Sequence, residues 1–252
     1  METINSEIKS LSSPFIVNDK KELLVQKGKM EDKGYRIVTM TERDTNDAIM
    51  FLRKFFFHDE PLNVCVGLLD EPGSTCQELE DYCSISIPDG LSLKAVSPTD
   101  EIIAVCINGS LTRENNKVDA MIEEVNSCKN QKFKKILNLI TSVNIQSDIF
   151  GQFPKINSMA EVRVLSVDDA YRGKGIAKAC IERTRVLAKE KGYDLLKLDC
   201  TSHYSALAVS SLGGYSCVYT LNYSDHVDED GKPVFVPELP HSCVKTFVCS
   251  LK

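Results

Sequence analysis

Apolar residues along the chain switch repeatedly between two periods. After a short alternating stretch over 35–40, Ala48, Ile49, Phe51, Leu52, Phe55 and Phe56 recur at helical spacing. Thr41 and Asp44 stand where a capping box would start that helix, and Asp59-Glu60-Pro61 ends it. Residues 62–83 suit one or two short helices broken at Glu71-Pro72-Gly73. Alternating or continuous apolar runs over 91–96 and 102–107 predict a hairpin that turns at Pro98-Thr99-Asp100. Residues 133–149 carry the stripe of an amphipathic helix.

The second half predicts a strand over 161–167, a helix over 175–191 closed by Gly192, and a strand over 195–200. A short helix over 204–212, stopped by Gly213-Gly214, precedes strands over 215–223 and 243–251. This mixed order predicts an α+β domain. Its central sheet is mixed and mostly antiparallel, with one parallel crossover. Residues 1–33 read as a polar leader with a short helix near 20–27. The domain occupies 34–252.

A length of 252 residues and 42% hydrophobic content allow a substantial core. The net charge of −6 argues against a nucleic-acid-binding face. No apolar run reaches membrane-spanning length, and the start lacks the layout of a secretory signal. The expectation is a cytoplasmic, monomeric protein without nucleic-acid or membrane partners. The 10 cysteines are scattered, without C-x-x-C pairs or His at metal spacing. Buried free thiols and no metal site are expected.

The chemistry concentrates where the strand over 161–167 meets the following helix. Arg172-Gly173-Lys174-Gly175-Ile176-Ala177 offers small residues and a helix N-terminus, the means of holding a pyrophosphate. It lacks the third glycine of a dinucleotide fingerprint and the G-K-[ST] of a P-loop. It does match R-x-x-G-x-A, the acetyl-CoA motif of the GNAT superfamily of N-acetyltransferases. Phe55 to Asn63, Phe133 to Leu137, Leu165 to Asp168, Tyr171 to Gly173 and Thr201 to Ala206 extend the likeness. In this order they resemble the insect arylalkylamine N-acetyltransferases of the dopamine N-acetyltransferase type.

The resemblance implies a GNAT fold whose sheet splays between 161–167 and 195–200. It implies acetyl-CoA as co-substrate and a small primary amine as acceptor: dopamine, tyramine, octopamine, serotonin or tryptamine. Glu60 is the implied general base, with Thr201 and Ser205 as the hydroxyls beside it. Thr201 replaces the family's serine. Leu165, Ser166 and Val167 would offer backbone to pantetheine. Arg172, Gly173, Lys174, Gly175, Ile176 and Ala177 would hold the pyrophosphate. Phe56, His203 and Tyr204 are the candidate amine contacts. The same chemistry on polyamines or other non-aromatic amines is the nearest alternative. A non-catalytic acetyl-CoA-binding module is the alternative of another class.

Overall fold

The computed structural model describes residues 34–71 and 73–252. The expected leader over 1–33 and its short helix lie outside the described residues. Strand β1 (Arg36–Thr39) leads to the Thr41/Asp44 capping box, in which the Thr41 amide donates to Asp44 Oδ2 at 2.7 Å. The box starts a single 3-10 turn, and helix α1 (Thr45–Phe55) follows. Two short helices come next, α2 (Pro61–Cys65) and α3 (Gln77–Ser84). The hairpin is β2 (Leu93–Val96) with β3 (Ile102–Thr112). Then come α4 (Val118–Ser127), α5 (Gln131–Ser147) and the single turn α6 (Ile149–Gln152). The second half holds β4 (Ser158–Val167), α7 (Ile176–Glu190), β5 (Leu195–Cys200), α8 (His203–Ser210), β6 (Tyr215–Asn222) and β7 (Cys243–Ser250).

Most elements stand where the pattern put them, with three corrections. The helix expected over 133–149 ends at Ser147, because Asp148 turns left-handed (φ +35°) and caps the separate turn α6. Strand β3 continues through Asn108, Gly109 and Ser110 to Thr112 rather than stopping at Ile107. These are poor strand formers, but nine residues of β3 pair with β4, and that ladder overrides propensity. The helix α4, for which no element is expected, is the third correction.

The strands form one sheet in the order β1-β2-β3-β4-β5-β7-β6, parallel only between β4 and β5. On one face, Ile176, Cys180 and Leu187 of α7 pack on Leu93, Ala95, Ala104 and Cys106. On the other, α1, α3 and α5 cover Val105, Ile107, Val164 and Val244. With both faces covered, β3 reads as a continuous apolar run over 102–107, not as an alternation.

The feature that positions the site is an irregularity in β4. Its register with β3 passes from Ile107↔Val164 to Asn108↔Val162, so Arg163 has no partner across the ladder. This is a β-bulge, which bends the strand. The parallel pairing of β4 with β5 ends at Val162↔Leu198, although β4 continues to Val167 and β5 to Cys200. Beyond the bulge β4 stays with β3, and β5 stays with β7. The sheet therefore forks between 163–167 and 199–200, as the resemblance implies. Along that edge of β4, backbone N–H and C=O groups are left without a strand partner.

Candidate active site

The segment from Phe55 to Glu60 crosses the mouth of the fork. At the β4 side, the Phe55 carbonyl accepts from Ser166 Oγ at 3.1 Å. At the β5 side, Glu60 Oε1 accepts from Thr201 Oγ1 at 2.9 Å. The local sequence explains this placement. Pro61 keeps Glu60 extended (φ −67°, ψ 124°) and takes the first helical position of α2, where no N–H is needed. Glu60 is thus the N-cap of α2, and its Oε2 accepts from the amides of Leu62 at 2.7 Å and Asn63 at 2.8 Å. One carboxylate oxygen is engaged by its own helix. The other points across the fork.

Glu60 is only 9% exposed. Burial pushes its carboxyl above the usual range, against the downward pull of the Asn63, Thr201 and Leu62 hydrogen bonds. Among the described residues it has no ionic partner. A buried, unpaired carboxyl beside a hydroxyl has the makings of a general base.

At the end of β4, Gly173 and Gly175 both have φ +77°, a left-handed conformation that favours glycine. Gly175 is the N-cap of α7, and the Ala179 amide is the one bonded to its carbonyl, at 3.0 Å. The amides of Ile176, Ala177 and Lys178 precede that bond and lack intrahelical acceptors. A Cβ at Gly173 or Gly175 would meet nothing within 4 Å, so the turn's outer surface is open. Free amides, an open turn and an unpaired strand edge fit a phosphate-bearing, extended co-substrate.

No family model matches the chain. Its structure is similar to that of arylalkylamine N-acetyltransferase 2 from Aedes aegypti, at 35% identity and a TM-score of 0.81. The alignment covers 86% of this chain and 99% of the mosquito protein. The chain belongs to the insect arylalkylamine N-acetyltransferase family. It is also similar to the Drosophila melanogaster polyamine N-acetyltransferase, described as forming N-acetylagmatine. There the identity is 27%, the coverage 86% and 99%, and the TM-score 0.76. The fork is thus that of the GNAT fold.

Within this arylalkylamine N-acetyltransferase fold the expected site residues are not all brought together. Thr201 meets Glu60. Ser205 does not: its hydroxyl donates to the Ser202 carbonyl at 2.9 Å and accepts from Ser202 Oγ at 2.9 Å. Ser202 itself caps α8 through the Ser205 amide at 3.0 Å. Leu165, Ser166 and Val167 line the β4 edge beyond the fork point. Phe56 packs partly buried against the core, its ring 6.1 Å from that of Phe57.

Arg172 is a clamp in this structure. It donates to the Val167 carbonyl at 3.1 Å and pairs with Asp59 at 2.9 Å and Asp169 at 2.8 Å. It also reaches the Phe55 carbonyl at 3.4 Å, which joins the glycine turn to the crossing segment. Lys174 donates to the Ala170 carbonyl at 3.1 Å and lies over the Tyr171 ring. The Tyr204 ring is 64% exposed and stands edge-on between His203 and His241, at 5.7 and 5.6 Å. His241 Nδ1 accepts from the His203 amide at 3.2 Å. Burial, then the nearby His203, lowers the pKa of His241.

Three further residues contribute that the motifs do not assign to the site. Asn63 is buried and donates from Nδ2 to the Phe57 carbonyl at 3.1 Å, closing the turn that carries Glu60. The Tyr223 hydroxyl donates to the Thr201 carbonyl at 2.5 Å. Asp59 holds Arg172. Their partners lie six, 22 and 113 residues away, and only the Asn63 contact is within reach of local spacing.

The floor beside Thr201 is charged but balanced. Lys197 Nζ, 1% exposed, pairs with Asp199 Oδ2 at 2.6 Å and bonds Asn144 Oδ1. Thr246 Oγ1 donates to Asp199 Oδ1 at 2.7 Å. Arg163, at the bulge, pairs with Glu161 at 2.6 Å.

All ten cysteines are free thiols, most of them buried. Among the described residues no cluster of three or more His, Cys, Asp or Glu could hold a metal ion. Among them no helix is long and apolar enough to cross a membrane.

Proposed function

We propose that the protein transfers the acetyl group of acetyl-CoA to a small primary arylalkylamine in a ternary complex, with Glu60 as general base. The observation that carries this reading is the buried Glu60 carboxyl bonded to Thr201 across the mouth of the strand fork. Pantetheine would lie along Leu165, Ser166 and Val167. The pyrophosphate would meet the amides from Gly173 to Ala177, with Arg172 and Lys174 as positive charge at the rim. Phe56, His203 and Tyr204 would contact the acceptor.

The acceptor enters as an ammonium and cannot attack until it loses a proton. The Thr201 hydroxyl already donates to Glu60 and can accept from the amine, so the proton passes to the carboxylate. The freed nitrogen attacks the thioester carbonyl, a C–N bond forms, and the C–S bond breaks. The nitrogen sheds its second proton as it becomes an amide, and the departing thiolate takes up one proton to leave as the thiol. Burial supports this role, because a carboxyl with a raised pKa is a stronger base near neutral pH. Ser205, bonded to Ser202, would act on the acceptor's surroundings rather than on Glu60.

The balanced floor favours a monoamine over a polyamine. Asp199 and Glu161, on the two strands that part at the fork, are each paired with a cation. A second ammonium would find no uncompensated carboxylate there, and burying it unpaired is costly.

Thiol release from acetyl-CoA tests the reading across tyramine, dopamine, serotonin, tryptamine, putrescine, spermidine and agmatine. Turnover on the aromatic amines that collapses in Glu60→Gln is expected. Turnover confined to the polyamines would overturn the acceptor class. Acetyl-CoA binding without turnover would favour a binding module. The expected cytoplasmic location and monomeric state are tested by fractionation and light scattering.

A further inference from the structure

Tyr223 is a buried side chain beside the site with no part in the proposed chemistry. It opens the 3-10 turn that follows β6, is 2% exposed, and its ring packs 6.2 Å from that of Phe235. Its amide donates to the Ser242 carbonyl at 3.0 Å, which anchors it to the start of β7. Its hydroxyl donates to the Thr201 carbonyl at 2.5 Å. Thr201 follows the last residue of β5, where the strand has already left β4 and no ladder with β4 restrains it. The ladder with β7 reaches Cys200, and Thr201 itself is held by the bond from Tyr223 to its carbonyl and by its own bond to Glu60.

We infer that Tyr223 is a positioning residue for the base: its hydroxyl holds the Thr201 backbone so that the Thr201 side chain stays aimed at Glu60. The inference rests on the reading of Glu60 as the base. Burial, and next the charge of Glu60, push the Tyr223 phenol up, so it remains a donor throughout the working pH range. Phe235 and His226 stack against one another behind the Tyr223 ring, leaving its hydroxyl facing Thr201.

Tyr223→Phe keeps the ring packing and removes only the donor. It should lower kcat about 10-fold while the KM for acetyl-CoA and the melting temperature stay near wild type. Glu60 would lose the donor that steadies its ionised form, so the acidic limb of kcat/KM should move to higher pH. A merely structural role would not move that limb. Thr201→Val cuts the same chain one bond later and should reproduce the shift; it also serves if Tyr223→Phe fails to accumulate. The double variant should lose little more than either single one, because both act on one chain.

A limb that stays in place in either single variant, or losses that multiply in the double, would overturn the positioning role. Glu60→Gln distinguishes the base assignment from the positioning role. If it is inactive and Tyr223→Phe leaves the limb unmoved, only the positioning inference fails. If Glu60→Gln turns over like wild type, the base assignment fails and the inference with it.

Discussion

Glu60 makes opposed demands on stability and activity. Its carboxylate is buried without an ionic partner, and burial outweighs three hydrogen bonds in setting the direction of its pKa. A folded-state pKa above the unfolded value means the folded protein binds the proton more tightly. The stability Glu60 contributes is therefore fully present below its unfolded pKa and is lost as pH rises through the folded one. Glu60→Gln should accordingly melt higher than wild type at pH 8, and the gain should shrink toward pH 4. Its kcat should fall on the order of 10²–10³-fold. Parallel melts and rates at both pH values check this. A lower melting temperature at pH 8 would mean that the hydrogen bonds to the ionised carboxyl outweigh its burial. For the wild type the same shift predicts kcat/KM falling on the acid side as Glu60 gains its proton.

Among the elements, the bulge in β4 has to be accommodated by its neighbours. Arg163 lies across β3 at Gly109, where an added Cβ would sit 2.5 Å from Arg163 Nε. The guanidinium cannot swing away freely, since it is paired to Glu161 and stacked on Tyr82 at 5.6 Å. Gly109→Ala should destabilise by about 1–3 kcal/mol through overpacking. At about 2–4 °C per kcal/mol for a protein of this size, the melt should fall by several degrees. An unchanged melt would show that Arg163 has another place to go. At the turn before α7 the expectation differs. Gly175→Ala meets no steric neighbour, so its cost is the positive φ, about 1–2 kcal/mol, and the new methyl would face the proposed phosphate site. The KM for acetyl-CoA should rise more than kcat falls, as initial rates over both substrates would show.

These two elements also mark what the sequence could reveal. The turn is legible because its glycines, the strand before it and the stripe after it are all local. Strand β5 is legible as a bounded apolar run. Helix α4 carries a signal, Val118, Met121, Ile122 and Val125 at helical spacing, but Lys117 makes no cap and the surrounding Asn and Glu dilute it. The bulge has no local signature, since it is a mismatch between β3 and β4. Nor does the Glu60–Thr201 contact, which joins residues 141 apart; only the family likeness pointed to it. The contact of Tyr223 with Thr201 lay beyond both.

For the whole molecule, the question is how much of the chain the fork requires. Contacts group residues Tyr35–Lys252 as one compact unit. Strand β1 is an edge strand held by four residue pairs with β2, and the seven strands of the described residues lie within that unit. The mosquito relative aligns over 99% of its length to 86% of this chain, so a family member completes the fold with fewer residues. We therefore expect residues 34–252 alone to form the catalytic domain. The shortened chain should melt in one cooperative transition, and its kcat and both KM values should match those of the full chain within about twofold. A raised KM for either substrate, or a broad, early melt, would show that residues 34–252 do not suffice. Because Glu60, Thr201 and Tyr223 are joined by hydrogen bonds wholly inside the unit, the pH profile of kcat/KM should be the same in both forms. A displaced acidic limb in the shortened chain would mean that the environment of Glu60 is completed from outside 34–252.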